Sequence, residues 1–135
     1  MSNKYGAGGG RVTVYASSEH DEQVALFEWA ALHQGRYPEL GLLFAIPNGG
    51  KRDKATAMQL QREGVKPGVP DVCLPVPGEG WHGLFIELKY GRNTTTDKQN
   101  EWLERLREQG YLAVVCYGWC EAVEVIKDYL GMEAQ

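Results

Sequence analysis

Residues 70–90 read PDVCLPVPGEGWHGLFIELKY, and the reading of this stretch decides the fold. Two apolar runs, 71–74 and 83–90, flank Pro75, Pro77, Gly78 and Gly80, residue types that end strands and make turns. The spacing predicts a hairpin that turns near Glu79. Because 79 is the midpoint of 71 and 87, Asp71 should face Glu87 across the two strands, with Cβ atoms roughly 5 Å apart. Successive side chains on a strand alternate between faces, so Lys89 shares the face of Glu87, while Leu84, Ile86 and Leu88 take the other.

Two carboxylates directly opposite each other destabilise a sheet unless something relieves the repulsion. A hard divalent cation does so, because two carboxylates and a nearby main-chain carbonyl are the oxygen ligands that Mg²⁺ or Mn²⁺ prefers. With an ammonium beside it, such a site has the parts for phosphodiester hydrolysis. A cation polarises the phosphate and acidifies water, and a lysine orients that water or offsets developing negative charge. The bland alternative makes Asp71 the start of a strand after Pro70 and makes Glu87 and Lys89 a solvated charge pair. The facing aspartate tips the balance towards the metal site.

Working outward, residues 112–117 form another buried strand pattern and residues 42–46 a buried strand ending at Pro47, before the turn signal Asn48-Gly49-Gly50. Ser18 is placed to cap a helix over about 19–33, and a second helix, about 54–63, stops at Gly64. Thr96-Asp97-Lys98-Gln99 fits a capping box that opens a helix with Trp102, Leu103 and Leu106 on one face and Gly110 at its end. Val123, Ile126 and Leu130 have the spacing of a final helix before Gly131. Strands and helices mixed in this order predict an α/β architecture, a mixed sheet flanked by helices.

The chain has 135 residues, enough for one domain with a real core, expected over 18–135. Residues 1–17, with glycines from Gly6 to Gly10, read as a flexible arm that includes a short strand candidate, Arg11 to Tyr15. Apolar residues make up 43% and charged residues 24%, which is ordinary globular usage and excludes a disordered chain. No apolar run approaches the roughly 20 residues of a membrane span and no secretory signal is visible, so no membrane partner and a cytoplasmic location are expected. Cys73, Cys116 and Cys120 lack paired spacing and read as reduced thiols. The four tryptophans read as core or interface residues.

A net charge of −4 argues against coating nucleic acid by bulk electrostatics, so any contact with it must be local. One region qualifies. Residues 51–66 carry Lys51, Arg52, Lys54, Arg62 and Lys66 against Asp53 and Glu63. Asn48, Gly49 and Gly50 can bring backbone close to DNA, with Lys51 and Arg52 meeting phosphates; the alternative is a plain turn followed by solvated charges.

Pro70-Asp71 followed by Glu87-Leu88-Lys89 resembles the PD-(D/E)XK nuclease signature, and the surroundings resemble its VRR-NUC branch more narrowly. The similar pieces span most of 19–117. They are Glu19 and Gln23 on the first helix, Asn48-Gly49, Gly64-Val65 through Pro70-Asp71, Phe85 to Lys89, Gln99 with Leu103 and Leu106, and Gly110 before a strand.

The resemblance implies a restriction-endonuclease-like core and Mg²⁺- or Mn²⁺-dependent hydrolysis of DNA, often branched or flapped, with no organic cofactor. It implies that Asp71, Glu87 and the Leu88 carbonyl hold the metal, that Lys89 serves the attacking water, and that an acid on the first helix joins them. Helical periodicity favours Glu19, with Gln23 beside it, over Glu22 for that acid, the alternative being that both only complement the helix N-terminus. Gln99 is either the family's active-site glutamine or merely the third residue of a capping box.

Stand-alone domains of this kind are similar to Holliday-junction resolvases, which implies a homodimer with two active sites for two strands. Two rivals stay open: a catalytically silent DNA-binding or assembly module, and a restriction-type nuclease that reads duplex sequence.

Overall fold

The computed structural model describes residues 18–47 and 53–132. The strand candidate at Arg11–Tyr15, and Asn48, Gly49, Lys51 and Arg52, lie outside the described residues. The elements run α1 (Glu19–His33), a 3-10 helix (Pro38–Leu42), β1 (Phe44–Ala45), α2 (Lys54–Arg62), β2 (Val72–Leu74), β3 (Leu84–Lys89), α3 (Asp97–Glu108), β4 (Leu112–Tyr117) and α4 (Trp119–Leu130). This is the α/β, restriction-endonuclease-like order expected, with a mixed sheet flanked by helices.

Helix ends follow their capping chemistry. The Ser18 hydroxyl accepts the Asp21 N–H at 3.1 Å and starts α1. Asp53 does the same for α2, taking the Thr56 N–H at 2.8 Å. α4 closes at Gly131, whose φ of 68° is the left-handed conformation that glycine adopts without strain.

The sheet order is β1-β2-β3-β4. β2 and β3 are antiparallel with Val72 opposite Ile86, Cys73 opposite Phe85 and Leu74 opposite Leu84, so the register extends to Asp71 opposite Glu87. The turn is tight: Gly78 and Trp81 exchange main-chain hydrogen bonds around Glu79-Gly80. β4 then joins β3 in parallel, Glu87 beside Val115 and Lys89 beside Tyr117. That connection uses α3 as the crossover a parallel pair needs.

One strand departs from expectation. The 42–46 run is not a buried strand: Leu42 ends the 3-10 helix Pro38–Leu42, and only Phe44 and Ala45 pair with β2, both exposed. The strand sits at the sheet edge, and Phe44 is 47% exposed. An apolar run is ambiguous between edge and centre, because periodicity does not count neighbours.

The two faces of the sheet differ. Val72, Leu74, Leu84, Ile86, Leu88 and Cys116 form one hydrophobic core with Leu26 and Ala30 of α1, Leu40 and Leu43, and Ala122, Val123 and Ile126 of α4. The other face carries Asp71, Cys73, Phe85, Glu87 and Lys89, and α3 packs over its β4 side through Leu103. Greasy side chains thus fix the strands from one side and leave the polar ones to α3 and solvent. No helix among the described residues is long and apolar enough to cross a membrane.

Candidate active site

Strand alternation puts Glu87 and Lys89 on the α3 face, and both are buried, at 1% and 6% exposure. Buried charges need partners, and each has one here. Lys89 Nζ lies 3.6 Å from Glu87 Oε2. The Gln99 amide donates from Nε2 to the same Oε2 at 3.0 Å. Glu87 Oε1 is different: it is buried, and no hydrogen-bond donor among the described residues reaches it.

Asp71 comes to this carboxylate from the neighbouring strand. Buried Pro70 ends the loop before it, and the Asp71 carbonyl accepts the Ile46 N–H at 2.8 Å, which pins the backbone to β1. Its side-chain Oδ2 accepts the Leu88 N–H at 2.8 Å. In an extended strand the N–H and C=O of one residue leave on the same side, so the Leu88 carbonyl is also directed towards Asp71, beyond the last paired residue of β2.

Electrostatics report how tightly these groups are gathered. Burial raises the Glu87 carboxyl to about 8, the negative charge of Asp71 adds to the rise, and Lys89 opposes it. A hydrogen bond between Glu87 and Asp71 and the charge of Glu19 push it further in the same direction. Glu87 therefore holds a proton near neutrality, which a cation would displace.

The residues fit a hard divalent cation. The buried, donorless Glu87 Oε1, the adjacent Asp71 carboxylate and the Leu88 carbonyl form an all-oxygen set suited to Mg²⁺ or Mn²⁺. No group of three or more His, Cys, Asp or Glu side chains among the described residues is arranged to hold a metal. Glu19 thus bears on Glu87 through its charge but does not join the pair in a three-acid cage.

The competing acid, Glu22, has another task. Its Oε1 accepts the Trp119 N–H at 2.7 Å and so caps α4, with Gly118 (φ 96°) packed against it. It complements the N-terminus of α4 in addition to lying in the acidic first turn of its own helix. No local pattern shows this, because 97 residues separate the partners. Gln23 is half-buried and lines a shallow depression on α1 with His20, Val24, Phe27 and Glu28.

Gln99 fills both roles that its sequence leaves open. Its Oε1 accepts the Thr96 N–H at 2.9 Å, while Thr96 Oγ1 takes the Gln99 N–H at 3.2 Å, completing the capping box. The opposite end of the amide reaches Glu87. Lys66 is exposed on the loop before Asp71. Cys73 and Cys116 are buried, and burial pushes the Cys116 thiol up to about 12, which makes it unreactive.

The VRR-NUC domain family model matches residues 17–119. A solved structure described as a VRR_NUC domain protein is similar at 28% identity, with a TM-score of 0.74 over 87% of this chain and 92% of that one. Among curated proteins no sequence matches.

Proposed function

Because this chain belongs to the VRR-NUC family and carries its nuclease-type fold, we propose that it is a divalent-metal-dependent DNA endonuclease that acts at branched structures as a homodimer. The observation that supports this reading best is the buried Glu87 carboxyl drawn against Asp71, with an ammonium 3.6 Å from one of its oxygens and no hydrogen-bond donor among the described residues at the other. Two carboxyl groups gathered in this way are a ligand pair that a hard cation would take in place of a shared proton.

Asp71, Glu87 and the Leu88 carbonyl would hold Mg²⁺ or Mn²⁺, which when bound polarises a phosphate and acidifies water. The protein's own groups do the rest. The Leu88 N–H holds the Asp71 carboxylate in place, and Gln99 and Lys89 hold Glu87. Lys89, fixed by β3, presents its ammonium to the water that attacks in line at phosphorus or to the charge that develops there. The enclosed setting strengthens each of these interactions relative to bulk water.

One feature supports the dimer. Phe44 of the edge strand β1 is 47% exposed and Leu42, at the end of the 3-10 helix before it, is 54% exposed, and a second copy could pair along that edge. A two-fold pair would offer two sites to the two strands of a junction.

The test is a panel of four-way, flapped and linear DNA incubated with Mg²⁺ or Mn²⁺, alongside Lys89→Ala and Asp71→Asn. Metal-dependent nicks at the branch, absent in both variants, are expected. Binding without cleavage under every metal condition would make the chain a silent module, and cuts that follow one recurring duplex sequence would make it restriction-type. Sedimentation should show a dimer at concentrations where junctions are cut symmetrically; monomer alone would remove that part.

A further inference from the structure

A groove of about 610 Å³ runs between the outer side of α3 and the loop before Asp71, lined by Lys66, Pro67, Lys98, Glu101, Trp102 and Arg105 among others. Three of these are cations and one is an acid, on a chain whose net charge is −4. Trp29 and Trp119 pack against the hydrophobic core and Trp81 is exposed at the β2–β3 turn, whereas Trp102, half-buried, lines the groove. The fully buried α3 residue is its neighbour, Leu103.

Both walls of the groove lead to the carboxylate pair. On the helix side, Lys98 immediately precedes Gln99, whose amide donates to Glu87. On the loop side, Lys66-Pro67 continues through Gly68 to Pro70-Asp71. Gly68 seals the two walls together: it has φ 90°, and a Cβ there would come within 2.8 Å of the Lys98 carbonyl. Only glycine allows that approach without displacing backbone.

We propose that this groove binds an unpaired DNA strand, with a base stacked on the Trp102 indole and its flanking phosphates met by Lys98, Arg105 and Lys66. Lys98, Trp102 and Arg105 follow one another at i, i+4 and i+7 along one helix face, a span of about 10 Å. That places a cation on each side of the aromatic ring. A duplex offers phosphates to such a surface but keeps its bases stacked inside, whereas a single strand offers both. The inference rests on the nuclease reading for its purpose, since the groove's two walls adjoin Gln99 and Asp71 in the chain. It gives the domain a means of selecting a branch point: the unpaired arm is recognised beside the site that cuts it.

The test is anisotropy of labelled oligo(dT) and of a blunt duplex, titrated with the full chain in EDTA so that binding is read apart from cleavage. Trp102→Ala is expected to weaken oligo(dT) binding about tenfold and to leave duplex binding unchanged, and Trp102→Phe to restore most of the loss. Arg105→Glu, an exposed position that should not disturb folding, is expected to weaken oligo(dT) binding and flatten its salt dependence. If Trp102→Ala does not fold, Arg105→Glu decides the matter.

Wild-type affinity for oligo(dT) that is undetectable, that a folded Trp102→Ala leaves unchanged, or, where that variant does not fold, that Arg105→Glu leaves unchanged, would overturn the proposal. A chain that cuts no DNA with Mg²⁺ or Mn²⁺ yet shows the Trp102 effect would refute hydrolysis and keep the groove. A chain that cuts while Trp102→Ala binds normally would do the reverse.

Discussion

Gln99 donates from its amide nitrogen to Glu87 Oε2 at 3.0 Å, and its amide oxygen is held at the same time by the Thr96 N–H at 2.9 Å. A helix cap therefore fixes which end of the amide faces the carboxylate. The start of α3 and the geometry of the candidate active site are one hydrogen-bonded unit.

Thr96→Ala should cost about 1 kcal/mol of stability, the usual worth of an N-cap, with little loss of cleavage because Gln99 remains. Gln99→Ala should cost a similar amount of stability and lower cleavage by about tenfold, since it also strips a donor from a buried carboxylate. Chemical denaturation and single-turnover cleavage separate the two. Equal activity losses would mean that the amide has no part beyond the cap.

Stability without metal should fall as pH rises from about 4.5, the ordinary value of a glutamate, to about 8, the value for Glu87 in the fold. Across that window the folded chain keeps a proton that the unfolded chain has lost, so each step up in pH favours unfolding. Glu87→Gln should flatten this slope and raise the melting temperature at pH 8 by on the order of 5 °C. Mg²⁺ or Mn²⁺ should flatten it in the wild type. Melting curves that are pH-independent in EDTA would contradict the burial and crowding of this carboxylate.

Lys89→Ala removes a cation that opposes the rise of the Glu87 pKa and the ammonium next to the pair. Cleavage should fall at least about a hundredfold, as when a donor to developing charge is deleted. Lys89→Arg should rescue little, because a planar guanidinium does not reproduce a compact ammonium in an enclosed site. Circular dichroism and cleavage kinetics together show whether the loss is chemical or structural.

The two acids on α1 should part company. Glu22→Ala loses the cap on the Trp119 N–H and should destabilise the fold by about 1 kcal/mol without a specific effect on chemistry. Glu19→Gln removes a negative charge near Glu87 and should stabilise the metal-free protein at pH 8 instead. Parallel melting and cleavage series distinguish them.

Much of this arrangement is legible in the sequence. Counting from Glu79 places Asp71 opposite Glu87, because alternation and a tight turn leave one register; the capping box at Thr96 and the bounds of α1 and β4 follow from local chemistry in the same way. Long-range partners are not legible. Glu22 reads as an ordinary first-turn acid until α4 is folded back on α1, and the 42–46 run reads as buried until β1 is found at the edge. The same helical stripe carries Trp102 and Leu103, and only the packing of α3 shows that one enters the core side and the other a charged groove.

The central claim, that Asp71 and Glu87 share a divalent cation, is met most directly by titrating Mn²⁺ into the protein at pH 7 in a calorimeter, in buffers of different ionisation enthalpy. Saturable binding that releases roughly one proton is expected, since the cation displaces the proton on Glu87, and a folded Glu87→Gln or Asp71→Asn chain should lose it. No Mn²⁺ uptake by the wild type, or equal uptake by the folded variants, would contradict the claim.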